Sequence, residues 1–198
     1  MPRTLRPVTG LGRRGTRQDV TIVVDEIDSP IGPLVLAIAG ETERRVLALA
    51  FGERWPEMRP RLASRTASEP ATWRSARGTG DVGRRLRDYF AGDLAALAAI
   101  RVETGGTMFQ RSVWLALRRI GPGRTASYAD VARRIGHPRA VRAVGLANGA
   151  NPVCLVVPCH RVIATGGGLG GYGGGLDRKR WLLAHEGALR ESATRRDR

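Results

Sequence analysis

Asn151-Pro152-Val153-Cys154-Leu155-Val156-Val157-Pro158-Cys159-His160-Arg161-Val162 is the stretch on which the reading of this chain turns. Its apolar run, Val153–Val157, lies between two prolines and predicts a buried strand. A cysteine and a histidine follow directly. A free cysteine has a pKa near 8.5, so only about 3% is thiolate at pH 7. A base or cation beside it raises that fraction. Adjacent side chains of an extended segment point to opposite faces, so His160 reaches the sulfur only if the chain turns at this point. A buried structural cysteine is the alternative, and the pair by itself leaves it open. Cys154 lies about 16 Å from Cys159 along an extended chain, too far for a disulfide. It reads as a small buried hydrophobe.

Outward from this core, residues 166–175 contain eight glycines, interrupted by Leu169 and Tyr172. Gly166, Gly168 and Gly171 match G-x-G-x-x-G, but no helix opens immediately after and no second βαβ strand carries an acid, so the segment reads as a mobile loop. Leu176–Glu186 predicts a closing helix with Trp181, Leu182 and Leu183 inward. Upstream, Ser127-Tyr128-Ala129-Asp130 is a capping box opening a helix through Ile135. Gly136-His137-Pro138 ends it and starts another, through Val141, Val144 and Leu146 to Gly149. Two short helices around a glycine-containing turn make a helix-turn-helix candidate. Before them, Thr107–Ile120 carries Phe109, Val113, Trp114, Leu117 and Ile120 at helical spacing, and Thr104-Gly105-Gly106 marks a domain boundary.

The first half reads differently. Val20–Val24, Pro33–Ala39 and Arg45–Phe51 are short β-branched-rich runs, separated by the turn signals Asp28–Pro33 and Gly40-Glu41-Thr42, and they predict an antiparallel meander. Residues 56–77 are polar and predict at best a helix. Asp81–Phe90 places Val82, Leu86, Tyr89 and Phe90 on one helical face, and Ile100–Glu103 predicts a strand. Residues 1–18 hold five arginines and no acid, with helix-breaking proline and glycine, and read as a disordered basic tail; 189–198 read as a charged tail.

The 198 residues carry 33 basic and 18 acidic side chains, a formal net charge of +15. That points to a polyanion, above all nucleic acid. The excess is uneven: residues 1–104 hold 17 basic and 13 acidic side chains, and residues 105–198 hold 16 and 5, so the second half is the one expected to face the anion. No run of 18 apolar residues exists, which excludes a transmembrane helix. Two cysteines and three histidines are too few for a disulfide framework or a multi-ligand zinc site. The expectation is therefore a cytoplasmic protein with no metal and no cofactor.

The segments Asn151-Pro152…Pro158-Cys159-His160-Arg161-Val162-Ile163, Gly171-Tyr172…Gly174-Gly175-Leu176…Lys179…Trp181-Leu182-Leu183…Glu186 and Arg142-Ala143-Val144-Gly145…Asn148-Gly149 resemble the O6-alkylguanine-DNA alkyltransferase family. The resemblance is nearly gapless from about 105 to 187, and weaker upstream, chiefly in Asp28–Leu34. It implies an α/β (α+β) chain: an N-terminal ribonuclease-H-like domain over 19–104, then a mostly helical, winged-helix-like DNA-binding domain with a helix-turn-helix over 105–188. The implied activity is stoichiometric transfer of the alkyl group from O6-alkylguanine in double-stranded DNA, with O4-alkylthymine as a further candidate, by a monomer that holds the minor groove and flips the lesion out.

The same resemblance implies roles. Cys159 takes the alkyl group, His160 is its base through a water, Glu186 orients His160, Asn151 fixes the turn, and Tyr128 donates a proton to N3 of the departing guanine. Tyr172 walls the pocket, the Gly173 amide faces the lesion oxygen, and the carbonyls near Cys154 and Val162 read the guanine edge. Arg142 enters the base stack, His137, Thr165, Gln110 and Ala129 touch the DNA backbone, and small Ala140 and Ala143 allow close approach. The family often carries a larger residue where Gly173 stands, so a slightly enlarged pocket is expected there. A non-transferring lesion-binding protein and a cysteine hydrolase are the alternatives.

Overall fold

The computed structural model describes residues 21–40, 44–65, 72–75 and 80–189. The reading of 1–18 as a tail lies outside the described residues, as does that of 189–198 for all but Leu189. The meander is present as β1 (Thr21–Ile27), β2 (Leu34–Ala39) and β3 (Arg45–Phe51), all antiparallel. Its first turn is closed locally: Gly32 N–H donates to the Ser29 carbonyl at 3.0 Å, and Ile31 N–H to the Ser29 hydroxyl at 3.3 Å. Gly32 sits at φ +97, a conformation natural to glycine.

The polar stretch 56–77 departs from expectation. A helix, α1 (Trp55–Arg65), does form, but Thr72–Ser75 is a strand, β4, running parallel to β1. The unpaired edge of β1 supplies hydrogen bonds that the local sequence does not advertise. The sheet order is β3-β2-β1-β4. β2 is buried along its whole length because both faces are covered: Leu34, Leu36 and Ile38 enter the main core, while Ala37 and Ala39 meet Leu62 of α1 in a smaller one. Between β2 and β3 the register slips, with Ala37 opposite Ala48 and Ile38 opposite Val46. Leu47 is the extra residue of a bulge, and Val46 and Leu49 consequently both face the main core.

α2 (Asp81–Phe90) buries Val82, Leu86 and Tyr89 against that core. Ile100–Glu103 contributes only a bridge, Val46 to Val102, instead of the strand expected. The second half contains α3 (Met108–Arg118), β5 (Ala126–Ser127), α4 (Tyr128–Arg134), α5 (Val141–Gly149), β6 (Val162–Ile163) and α6 (Leu176–His185). The Ser127–Asp130 capping box forms as read, with Asp130 N–H on Ser127 Oγ at 3.0 Å and Ser127 N–H on Asp130 Oδ2 at 2.8 Å. Gly136, at φ +77, turns the chain between α4 and α5. Trp114 Nε1 donates to the Ala147 carbonyl at 2.9 Å and ties α3 to α5.

The main core draws buried residues from both halves, and the edge of β3 reaches into the second half. Leu49 N–H donates to the Pro152 carbonyl and Cys154 N–H to the Leu49 carbonyl, both at 2.9 Å. Beyond that contact the expected strand 153–157 does not continue. The chain coils, Leu155 adopts φ +66, and Val157 N–H bonds back to the Val153 carbonyl at 2.9 Å. The Asn151 side chain causes this: its Oδ1 accepts from Val153 N–H at 3.0 Å and its Nδ2 donates to the Val157 carbonyl at 2.7 Å, which draws the ends together.

Candidate active site

Asn151 therefore sets the position of the segment that follows. Pro158 leads into a single 3-10 turn, Cys159–Arg161, the turn that a Cys-His pair needs if both side chains are to serve one site. Cys159 is buried and lines a cavity of about 210 Å³ with Tyr128, Asn151, Cys154, Tyr172 and Gly173, so six of the sequence candidates meet around one space. The glycine-rich loop, read as mobile, supplies Gly171, Tyr172, Gly173 and Gly174 to the wall. Tyr128, at the start of α4, places its hydroxyl 3.4 Å from the Gly171 carbonyl.

Behind the thiol lies a closed charge network. His160 has no solvent exposure, and its Nε2 is 2.9 Å from Glu186 Oε1. Arg161 donates through Nε to Oε2 at 2.7 Å and through Nη2 to Oε1 at 2.8 Å, a bidentate pair. Tyr89, from α2, donates its hydroxyl to the same Oε1 at 2.8 Å. Burial on its own would raise the Glu186 pKa; the hydrogen bonds from His160 and Arg161 outweigh it and hold the carboxyl at about 2. A carboxylate that acidic can only accept, so His160 carries its proton on Nε2 and presents Nδ1 as a lone pair. Nδ1 is buried and has no hydrogen-bond partner among the described residues. Burial also holds the His160 pKa below its usual value, against the pull of Glu186, which keeps the ring neutral and available as a base.

Burial pushes the Cys159 thiol upward, opposed by a hydrogen bond from Asn151 and by the charge of Lys179. A resting thiol with a base within the site follows from this balance. The Lys179 ammonium is fully buried, donating to the Val162 carbonyl at 2.6 Å, and desolvation lowers its pKa to about 8. Burial, then the nearness of Cys159, raises the Tyr128 pKa, so that hydroxyl stays protonated and able to donate.

Other candidates lie elsewhere. Val162 is buried outside the cavity lining, with its carbonyl already engaged by Lys179. Arg142 and Ala143 are exposed on α5, Ala140 precedes it, and Ala129 sits half-buried in the first turn of α4. His137 and Thr165 are exposed, with His137 against the ring of Phe109 at 5.9 Å. Gln110 serves the fold. Its Oε1 accepts from Thr107 N–H at 3.0 Å and Thr107 Oγ1 accepts from Gln110 N–H at 3.2 Å, which makes a second capping box.

The sequence reading missed the first half's share of the site. Leu49, Ala50, Phe51, Arg54 and Met58 form one side of the cavity, and Tyr89 completes the network behind it. Their separation from Cys159 in sequence leaves no motif to find. Arg161 and Lys179 lay within recognisable motifs, and their buried partners were the missing signal. Gly173 corrects an expectation: a Cβ built there collides with Arg54 Nη1 and lies 3.3 Å from its Cζ, so the space the absent side chain vacates is filled by a guanidinium and the pocket gains no width.

In outline this is a mixed α/β protein whose reactive cavity lies between its two halves, with a buried thiol backed by a His–Glu–Arg network. Residues 108–188 match the family model described as 6-O-methylguanine DNA methyltransferase, DNA binding domain. A Salmonella typhimurium protein named methylated-DNA--protein-cysteine methyltransferase is 44% identical over 168 residues, which is 85% of this chain and 97% of that one. The protein of that name from Methanosarcina acetivorans is 40% identical over 81% of this chain and 96% of its own. Mycobacterium tuberculosis OGT, crystallised in complex with DNA, superposes with a TM-score of 0.67 at 40% identity, covering 84% of this chain and 93% of that structure. The chain belongs to the methylated-DNA--protein-cysteine methyltransferase family.

Proposed function

We propose that this protein repairs DNA by moving the alkyl group of O6-alkylguanine onto Cys159, once per molecule. The observation that carries the reading is the cavity itself, with the Cys159 thiol on its wall, a neutral imidazole held in the Nε2–H tautomer behind that thiol and a protonated phenol, Tyr128, lining the same space. The thiol proton passes through a water to His160 Nδ1. The sulfur attacks the alkyl carbon in line with the C–O6 bond, which breaks with its electron pair going to guanine, and Tyr128 delivers a proton to N3. Asn151 pins the turn, Glu186 fixes the imidazole, and the Gly173 amide with the carbonyls near Cys154 and Val162 orients the base.

The lesion must leave the stack to reach this cavity, at a cost of a few kcal/mol. Arg142, on the exposed face of α5, fills the gap, since its planar guanidinium both stacks and donates to the orphaned cytosine. His137, Thr165, Gln110 and Ala129 touch the DNA backbone, and small Ala140 and Ala143 admit α5 to the minor groove of the duplex. In this reading residues 19–104 are a ribonuclease-H-like domain and 105–188 a winged-helix-like one, and the protein acts in the cytoplasm as a monomer. Among the described residues no helix is long and apolar enough to cross a membrane. Incubation with O6-methylguanine duplex should add one methyl group to the peptide containing Cys159 by mass spectrometry. The Cys159→Ser variant should bind the duplex and take none. Methyl release with no mass gain on that peptide overturns the reading in favour of a hydrolase.

A further inference from the structure

Arg54 stands out in the reactive cavity. It is the one charged side chain among the described residues that line it. A neutral alkyl group gives a cation no counter-charge there, and the Cys159 thiolate and the guanine acceptors O6 and N7 are open to it equally for every substituent. Neighbouring Arg178 is fully engaged, with Glu53, the Ile31 and Gly174 carbonyls and the face of Phe51 at 4.3 Å. Arg54, in contrast, has no hydrogen bond or ion pair among the described residues. Its guanidinium lies over Gly173, where any side chain at 173 would displace it. Gly173 has no positive φ that demands glycine, so its lack of a Cβ serves space alone. Arg54 also lines a second cavity of about 250 Å³, which shares Met58, Gly149 and Asn151 with the first, so the side chain has room to shift.

We propose that Arg54 makes the pocket selective by charge, favouring O6 substituents that end in a carboxylate, such as carboxymethyl, over neutral groups of equal size. The inference rests on the alkyl-transfer reading, in which the Gly173 amide faces the lesion oxygen and Arg54 therefore lies beside the substituent. An unpaired guanidinium in a partly desolvated cavity gains a charge-assisted, bidentate partner from such a group. The transfer step is unchanged: sulfur bonds to the methylene carbon, the C–O6 bond breaks with its electrons going to guanine, and the product is S-carboxymethyl Cys159 with its carboxylate beside Arg54.

The test uses one duplex sequence carrying O6-carboxymethylguanine, its neutral isostere O6-carbamoylmethylguanine, O6-(2-aminoethyl)guanine or O6-methylguanine, with second-order transfer rates measured for each. The carboxymethyl-to-carbamoylmethyl rate ratio should be about tenfold or more higher in the wild type than in Arg54→Met. Arg54→Glu should shift preference toward the aminoethyl substrate, and Gly173→Ala, which pushes the guanidinium aside, should lower the ratio with Arg54 intact. Equal ratios in wild type and Arg54→Met overturn the proposal, as does a uniform loss on all four substrates, which would place Arg54 in a step common to them. No transfer from O6-methylguanine by the wild type would instead sink the alkyl-transfer reading.

Discussion

The two halves of the molecule contribute to one cavity by different means. In the second half the reactive groups are close in sequence: Asn151 shapes the coil, and Cys159, His160 and Arg161 follow on a single turn. In the first half nothing reactive is contiguous. Phe51, Arg54 and Met58 come from the end of β3, the turn after it and α1, and Tyr89 reaches Glu186 across 97 residues. Chemistry is thus encoded locally, while the shape of the pocket and the support of its charge network come from tertiary packing. A family model covering residues 108–188 takes in Cys159, His160 and Glu186 and leaves out the five wall residues Leu49, Ala50, Phe51, Arg54 and Met58.

The largest expected effect falls on the network that joins the halves. Glu186→Gln leaves Arg161 buried without its counter-charge, and breaking a buried pair in this way costs about 3–5 kcal/mol. Chemical denaturation should show that loss, and transfer should fall with it as His160 loses its fixed tautomer. The pH dependence has the same origin. The folded Glu186 pKa of about 2 lies below its ordinary 4.5, so its contribution is present above pH 4.5 and disappears as pH falls from there toward 2. Thermal melts across that window should decline in the wild type and flatten in Glu186→Gln.

A smaller effect isolates the DNA-facing surface. Arg142→Ala should slow repair of duplex lesions by at least about tenfold, because flipping costs a few kcal/mol, while reaction with free O6-benzylguanine is spared. Equal losses on both would make Arg142 a support of the fold. The smallest effect tests the first half's contribution. Tyr89→Phe removes one hydrogen bond and retains the ring contacts with Phe90 and His185, so stability should fall by about 1 kcal/mol. An unchanged melting curve and an unchanged transfer rate together would deny the cross-half contact any role.

How much was legible follows the same division. The Ser127–Asp130 box, the helix pair around Gly136 and the helix over Leu176–His185 carry local signals, and each formed where its residues placed it. The three strands of the meander were legible from their alternating and β-branched runs. β4 was not, because Thr72–Ser75 becomes a strand only through the edge of β1. The run Val153–Val157 misled, since its apolar character is equally that of a buried coil and the Asn151 side chain decides between the two. Arg54 over Gly173 was illegible from both ends, being a contact between residues 119 positions apart.

The central claim is that Cys159 accepts the alkyl group and keeps it. A thioether has no acidic proton and is a poor leaving group, and the His160–Glu186 pair is suited to moving protons, not to cleaving carbon–sulfur bonds. The most direct measurement is a titration of a fixed amount of protein with increasing O6-methylguanine duplex, counting lesions repaired at the end point. Repair should stop at one lesion per protein molecule, with the Cys159 peptide fully methylated. Continued repair beyond one equivalent, with that peptide unmodified, would contradict the account.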